Sequence, residues 1–73
     1  MRTFEVIQNI QNSCSGNQMR DVFFEEVDME DPDLWIRERE PHAVKIERED
    51  LPGALRFRVW NAEILTVYEL TEI

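Results

Sequence analysis

Ala43-Val44-Lys45-Ile46-Glu47-Arg48-Glu49-Asp50-Leu51-Pro52-Gly53-Ala54-Leu55-Arg56-Phe57-Arg58-Val59-Trp60 is the stretch on which the fold turns. On either side of Pro52-Gly53 the residue types alternate. Val44 and Ile46 alternate with Lys45, Glu47 and Glu49; Leu55, Phe57 and Val59 alternate with Arg56, Arg58 and Trp60. A period of two is that of a strand whose two sides meet different surroundings. Pro and Gly at the centre of Leu51-Pro52-Gly53-Ala54 are the signature of a type II turn, since Pro presets the first central φ and Gly tolerates the positive second one. Folding about that turn sets Glu49 opposite Arg56, Glu47 opposite Arg58 and Lys45 opposite Trp60, with Ile46 opposite Val59 on the other face. Two opposite-charge pairs and a cation–π pair on one side are what a correctly registered hairpin shows. A type II turn twists against its strands, so a bulge that shifts this register is the competing outcome.

Working outward, a second turn near Asn61-Ala62 pairs Val59 with Ile64, Phe57 with Thr66 and Leu55 with Tyr68. The core face then gathers Ile46, Leu55, Phe57, Val59, Ile64, Tyr68 and Leu70. Upstream, Asp31-Pro32 predicts a helix start: Asp caps the first turn, and the missing N–H of Pro costs nothing there. Asp33 early and Arg37 and Arg39 late suit the helix dipole, and Pro41 ends the helix at Glu40. Leu34 and Trp35 are its expected anchors.

The N-terminal half is more ambiguous. Phe4, Val6 and Ile10 alternate against Thr3, Glu5 and Asn9, a strand pattern broken by Ile7 and Gln8; a helix through Phe4, Ile7, Ile10 and Cys14 competes. In the segment from Met19 to Met29, Phe23, Val27 and Met29 share one side of a strand interrupted by Glu25, and a helix competes there too. The Asn12–Asn17 cluster reads as a loop. The expected architecture is one α+β domain over residues 1–73, a small antiparallel sheet in ββαβββ order with a C-terminal three-stranded meander and one short helix packed on one face.

Composition bounds what such a domain does. The net charge is −8, with sixteen acids against eight bases. Seven acids fall between Asp21 and Asp33 with no base among them: Asp21, Glu25, Glu26, Asp28, Glu30, Asp31 and Asp33. The remaining nine nearly balance the eight bases, so the imbalance is local. Such a field repels phosphates and anionic lipid, which excludes direct nucleic-acid binding and favours a basic protein partner. No apolar run reaches the length of a membrane helix, and no signal segment opens the chain; a cytoplasmic location is the expectation. One Cys and one His cannot furnish a four-ligand metal site. An EF-hand loop started at Asp28 places Pro32, Asp33 and Arg39 at its fifth, sixth and twelfth positions, so it fails. His42 has no triad partner. No cofactor or metal is expected.

Cys14-Ser15-Gly16-Asn17-Gln18-Met19-Arg20 sets a Cys and an Arg five residues apart. That spacing, with Gly16 and Asn17, resembles the anion-cradling loop of low-molecular-weight phosphatases and thioredoxin-coupled arsenate reductases. The resemblance covers seven residues and implies a thiolate at Cys14 and an anion held by Arg20. The chain departs from that pattern in three respects: Gln11-Asn12-Ser13 replaces an apolar strand before the Cys, Asp21 stands where a Ser or Thr usually follows the Arg and a carboxylate there would raise the thiol pKa, and such folds need roughly twice this length.

On the far side of the meander from the core, Trp60, Leu65, Val67 and Ile73 gather beside Arg56 and Arg58. An apolar cluster on a nominally solvated face reads as an interface, unless the N-terminal strands cover it. The expectation is a non-enzymatic interaction module docking a protein, basic or a second copy of itself, through Trp60, Leu65 and Val67 with Arg56 and Arg58, or through the acidic segment. The alternatives are an anion- or thiol-binding protein built on the Cys14–Arg20 loop, and an acidic mimic of nucleic acid.

Overall fold

The computed structural model describes residues 2–12, 20–62 and 64–73, with the backbone alone at 12, 20 and 21. The Cys14, Gly16 and Asn17 positions of the proposed anion loop therefore lie outside the described residues, as does the side chain of Arg20. The elements are β1 (Arg2–Asn12), β2 (Arg20–Met29), α1 (Pro32–Arg39), β3 (Lys45–Leu51), β4 (Ala54–Asn61) and β5 (Ile64–Glu72). The strands form one five-stranded antiparallel sheet in the order β2-β1-β5-β4-β3. Both ambiguous N-terminal segments are strands, and α1 carries the chain from one sheet edge to the other.

The two apparent faults in the N-terminal alternation have physical causes. Ile7 lies on the side of the sheet away from the helix, opposite Phe24 and Glu69. Gln8 lies on the helix side, where its Oε1 accepts a hydrogen bond from Arg39 Nη2 at 3.3 Å. Glu25, which interrupts Phe23 and Val27, is held by Arg39 Nη1 at 2.6 Å. The helix cation offsets the charge of this covered-side carboxylate, although Glu25 Oε1 is shut off from solvent without a well-directed hydrogen bond among the described residues.

The β3–β4 register is the one the sequence predicts, with Glu49 opposite Arg56, Glu47 opposite Arg58 and Lys45 opposite Trp60. Gly53 takes φ +74, the left-handed value its turn position requires, and no bulge shifts the pairing. The β4–β5 register differs from expectation by two residues. Val59 pairs with Thr66, Phe57 with Tyr68 and Leu55 with Leu70. The chain reverses one position later, with Asn61 and Ile64 as the last pair and Ala62 at φ 53. A slip of two preserves the side each residue faces, whereas a slip of one would have exchanged the faces.

The core is Phe4, Val6, Met29, Ile36, Phe57, Val59, Tyr68 and Leu70, all on or facing one side of the sheet. Ile36, not Leu34, is the buried anchor of α1; Leu34 is 52% exposed. Trp35 packs edge-on against Tyr68 with ring centroids 5.8 Å apart. Ile64, expected in the core, sits 39% exposed at the sheet's end, and Val44 precedes β3 at 78% exposure. Asp31 caps α1 as expected: its Oδ1 accepts from the backbone N–H of Asp33 at 3.1 Å and of Leu34 at 3.4 Å. The helix ends at Glu40, whose N–H bonds the Ile36 carbonyl.

Candidate functional site

Strand pairing fixes the side opposite α1 residue by residue. Reading across from β2 to β3, one row is Phe24, Ile7, Glu69, Arg56 and Glu49. The next is Val22, Asn9, Val67, Arg58 and Glu47, and the third ends in Leu65, Trp60 and Lys45. The predicted face residues Trp60, Leu65 and Val67 therefore do share one side with Arg56 and Arg58. None of the described residues on this side is buried. The N-terminal strands do not fold over it; they widen it. Ile7, Val22 and Phe24 extend the apolar surface across β1 and β2. Ile73 lies just past β5, its N–H bonded to the Thr3 carbonyl at 2.9 Å.

The cations of this face are largely neutralised within it. Arg56 donates to Glu49 at 2.9 Å and to Glu69 at 3.0 Å, and Arg58 lies 3.5 Å from Glu49. Lys45 pairs with Glu47 at 3.0 Å and sits 5.2 Å above the Trp60 ring. Half-exposed pairs of this kind contribute roughly 0–1 kcal/mol each. Their larger effect is to leave the β3–β5 part of the face apolar with balanced charge. Beside it, on β1 opposite Val67, the Asn9 Oδ1 is shut off from solvent without a hydrogen-bond partner among the described residues. An orphaned polar atom costs about 1–3 kcal/mol, so this spot is not optimised for stability.

The seven acids of the Asp21–Asp33 window do not form one patch. Glu25 turns to the helix side and pairs with Arg39. Asp33 is engaged by Arg48, Asp31 by the helix N-terminus, and Asp28 accepts from the Thr3 hydroxyl at 2.6 Å. Glu26 lies on the open side directly opposite Glu5, a like-charge pair. Glu30 is exposed between β2 and α1, and the side chain of Asp21 is outside the description.

Tyr68 is the most perturbed of the titrating groups on the covered side. Burial, reinforced by the nearby Glu40 carboxylate, pushes its phenol up to about 12, while Arg39 opposes the shift. Its hydroxyl donates to Glu40 Oε1 at 3.3 Å. At the sheet's far corner the hydrogen bonds from Arg2 hold the Glu72 carboxyl below its usual range. His42 is exposed. Among the described residues no three His, Cys, Asp or Glu gather to hold a metal ion, and no helix is long and apolar enough to cross a membrane.

Compared with family models, with curated proteins and with solved structures, the chain matches none. The geometry alone carries the functional argument.

Proposed function

We propose that this protein is a non-enzymatic protein-interaction module that works through the open face of its sheet, with a second copy of the chain as its simplest partner. One observation supports the reading: Trp60, Leu65 and Val67 lie side by side on β4 and β5, with Ile7 on the same side of β1 opposite Glu69, and no second layer covers them among the described residues. A sheet face bearing large apolar groups is ordinarily packed against something. Taking strands about 4.8 Å apart and same-side residues about 6.7 Å apart, five strands by four rows span about 650 Å² per copy. A face-to-face pair then buries about 1,300 Å², within the lower range of specific interfaces, which fits reversible association. The internal neutralisation of Arg56, Arg58 and Lys45 favours a like partner over the β3–β5 part of the face, whereas the Glu5 and Glu26 row on β1 and β2 opposes close approach of two copies there.

Sedimentation across a wide concentration range tests the reading. The native chain is expected to move from monomer to dimer, and the Trp60→Ser, Val67→Ser double variant to remain a monomer with unchanged fold. A native chain that stays monomeric at the highest concentration contradicts it.

The reading as an acidic mimic of nucleic acid draws on a different feature, the unpaired row of Glu5 and Glu26 with Asp28 beside it on the open side. Competition between this protein and DNA for a basic DNA-binding protein tests that reading, and undiminished DNA binding at saturating protein contradicts it.

A further inference from the structure

The two edges of the sheet differ sharply in how they are protected. β3 forms one edge with Lys45, Glu47, Arg48, Glu49 and Asp50, interleaved charges of both signs that blunt an edge against pairing. β2 forms the other edge: ten residues, no Pro, no bulge against β1, with Val22-Phe23-Phe24 in succession. These three are 44%, 54% and 70% exposed. Because neighbours in a strand face opposite sides, the edge is apolar on both faces at once. A long, regular, apolar edge presents a row of unpaired N–H and C=O groups that another strand can satisfy.

The chemistry along that edge selects the occupant. β2 carries four acids and one base. A shallow depression of about 270 Å³ is lined by Glu5, Phe24, Glu25 and Glu26. Glu5, Phe24 and Glu26 share the open side, so this hollow lies on that side beside the edge strand. Further along, a second hollow of about 380 Å³ runs between the end of β2 and α1, lined by Asp28, Glu30, Asp31 and Glu38 together with Leu34 and Trp35. Glu25 is already paired with Arg39, so Glu5 and Glu26 supply the available charge of the first, and each hollow combines carboxylates with an aromatic ring. That is the pairing of groups that receives a Lys or Arg side chain: the carboxylates meet the charge, and the ring takes the alkyl stem or the cation. A second copy of β2 is the wrong partner, since it sets four acids against four.

We propose that the β2 edge is a strand-docking site for an extended segment of a basic protein partner, apolar at its centre and flanked by Lys or Arg that enter the two acidic hollows. The site rests on the reading as an interaction module and shares Val22, Phe24 and Glu26 with the open face, but it is read through backbone pairing along β2, so hydrogen exchange and sedimentation report the two separately.

The experiment uses the full chain and a peptide of ten residues, the length of β2, with Val and Thr at its centre and Lys toward both ends. A second peptide carries Glu in place of each Lys. The expected result is slowed hydrogen exchange at alternate β2 amides with the Lys peptide alone, and affinity falling at least about tenfold from low to high salt as screening shortens. The Glu26→Lys, Glu38→Lys double variant places a base in each hollow on exposed side chains, so it folds; it is expected to lose about tenfold or more in affinity. Protection confined to β3 or to the open face, equal binding of the Glu peptide, or β2 amides already protected in a peptide-free dimer each overturn the proposal. Failure of the open-face reading shows instead as a monomer in sedimentation, which the peptide assay does not touch.

Discussion

The two faces of this sheet are built from the same five strands, yet they obey different rules. On the covered face Phe57, Val59, Tyr68 and Leu70 lose all or nearly all contact with water beneath Ile36 and Trp35. On the open face Trp60, Leu65 and Val67 are only half-buried by their own neighbours, and arginines lie between carboxylates beside them. The first face stabilises the domain; the second adds little and leaves large apolar groups available. Large apolar side chains on the two sides of a single-layer sheet thus separate into those that hold the fold and those that stay half-exposed.

Truncation should break that comparison most visibly. Phe57→Ala on the covered face is expected to cost about 3–5 kcal/mol, enough to unfold much of a domain this small. Trp60→Ser on the open face is expected to cost less than half as much. Urea midpoints of the two variants measure the contrast, and equal losses would erase the distinction between the faces.

Alkaline titration sharpens it next. Tyr68 is the single tyrosine, so phenolate absorbance reports it alone. With its folded value raised to about 12 against about 10 in an unfolded chain, the native state holds the proton more tightly. The associated stability is fully present below about pH 10 and falls as pH rises toward 12. A phenol that titrates near 10 in the folded protein would place Tyr68 in water.

Smaller effects follow at the helix and at the acidic corner. Asp31→Ala removes the acceptor for two N–H groups of α1 and should cost about 1 kcal/mol by thermal unfolding. Glu26→Lys replaces a like-charge cross-strand pair with an opposite one and should gain a few tenths of a kcal/mol. That gain would make Glu26 a residue kept against the interest of stability.

Much of this arrangement was legible in the residues. The Pro52-Gly53 turn and its flanking charges set the β3–β4 register, and Asp31-Pro32 with Pro41 bounded the helix. The β4–β5 register slipped by two because Asn61-Ala62 is a weak turn signal; Ala carries no preference for the positive φ it adopts. The N-terminal strands stayed ambiguous for a different reason. Their alternation is faulty at Ile7, Gln8 and Glu25, and each fault is resolved only by tertiary partners, Arg39 above all. The width of the open face was hidden by the same fault, since Ile7 belongs to it. Of the split of the acidic window only the Asp31 cap and the first-turn place of Asp33 were readable, because which carboxylate meets Arg39, Arg48 or Thr3 depends on how the edges fold together.

The two tryptophans offer the most direct test of the central claim, since Trp35 packs on the covered face and Trp60 on the open one. In a Trp35→Phe variant, Trp60 is the sole reporter; in a Trp60→Phe variant, Trp35 is. As protein concentration rises, Trp60 emission is expected to shift to the blue and become harder to quench, while Trp35 emission stays constant. A Trp60 signal that is indifferent to concentration, or a Trp35 signal that moves in its place, contradicts the account.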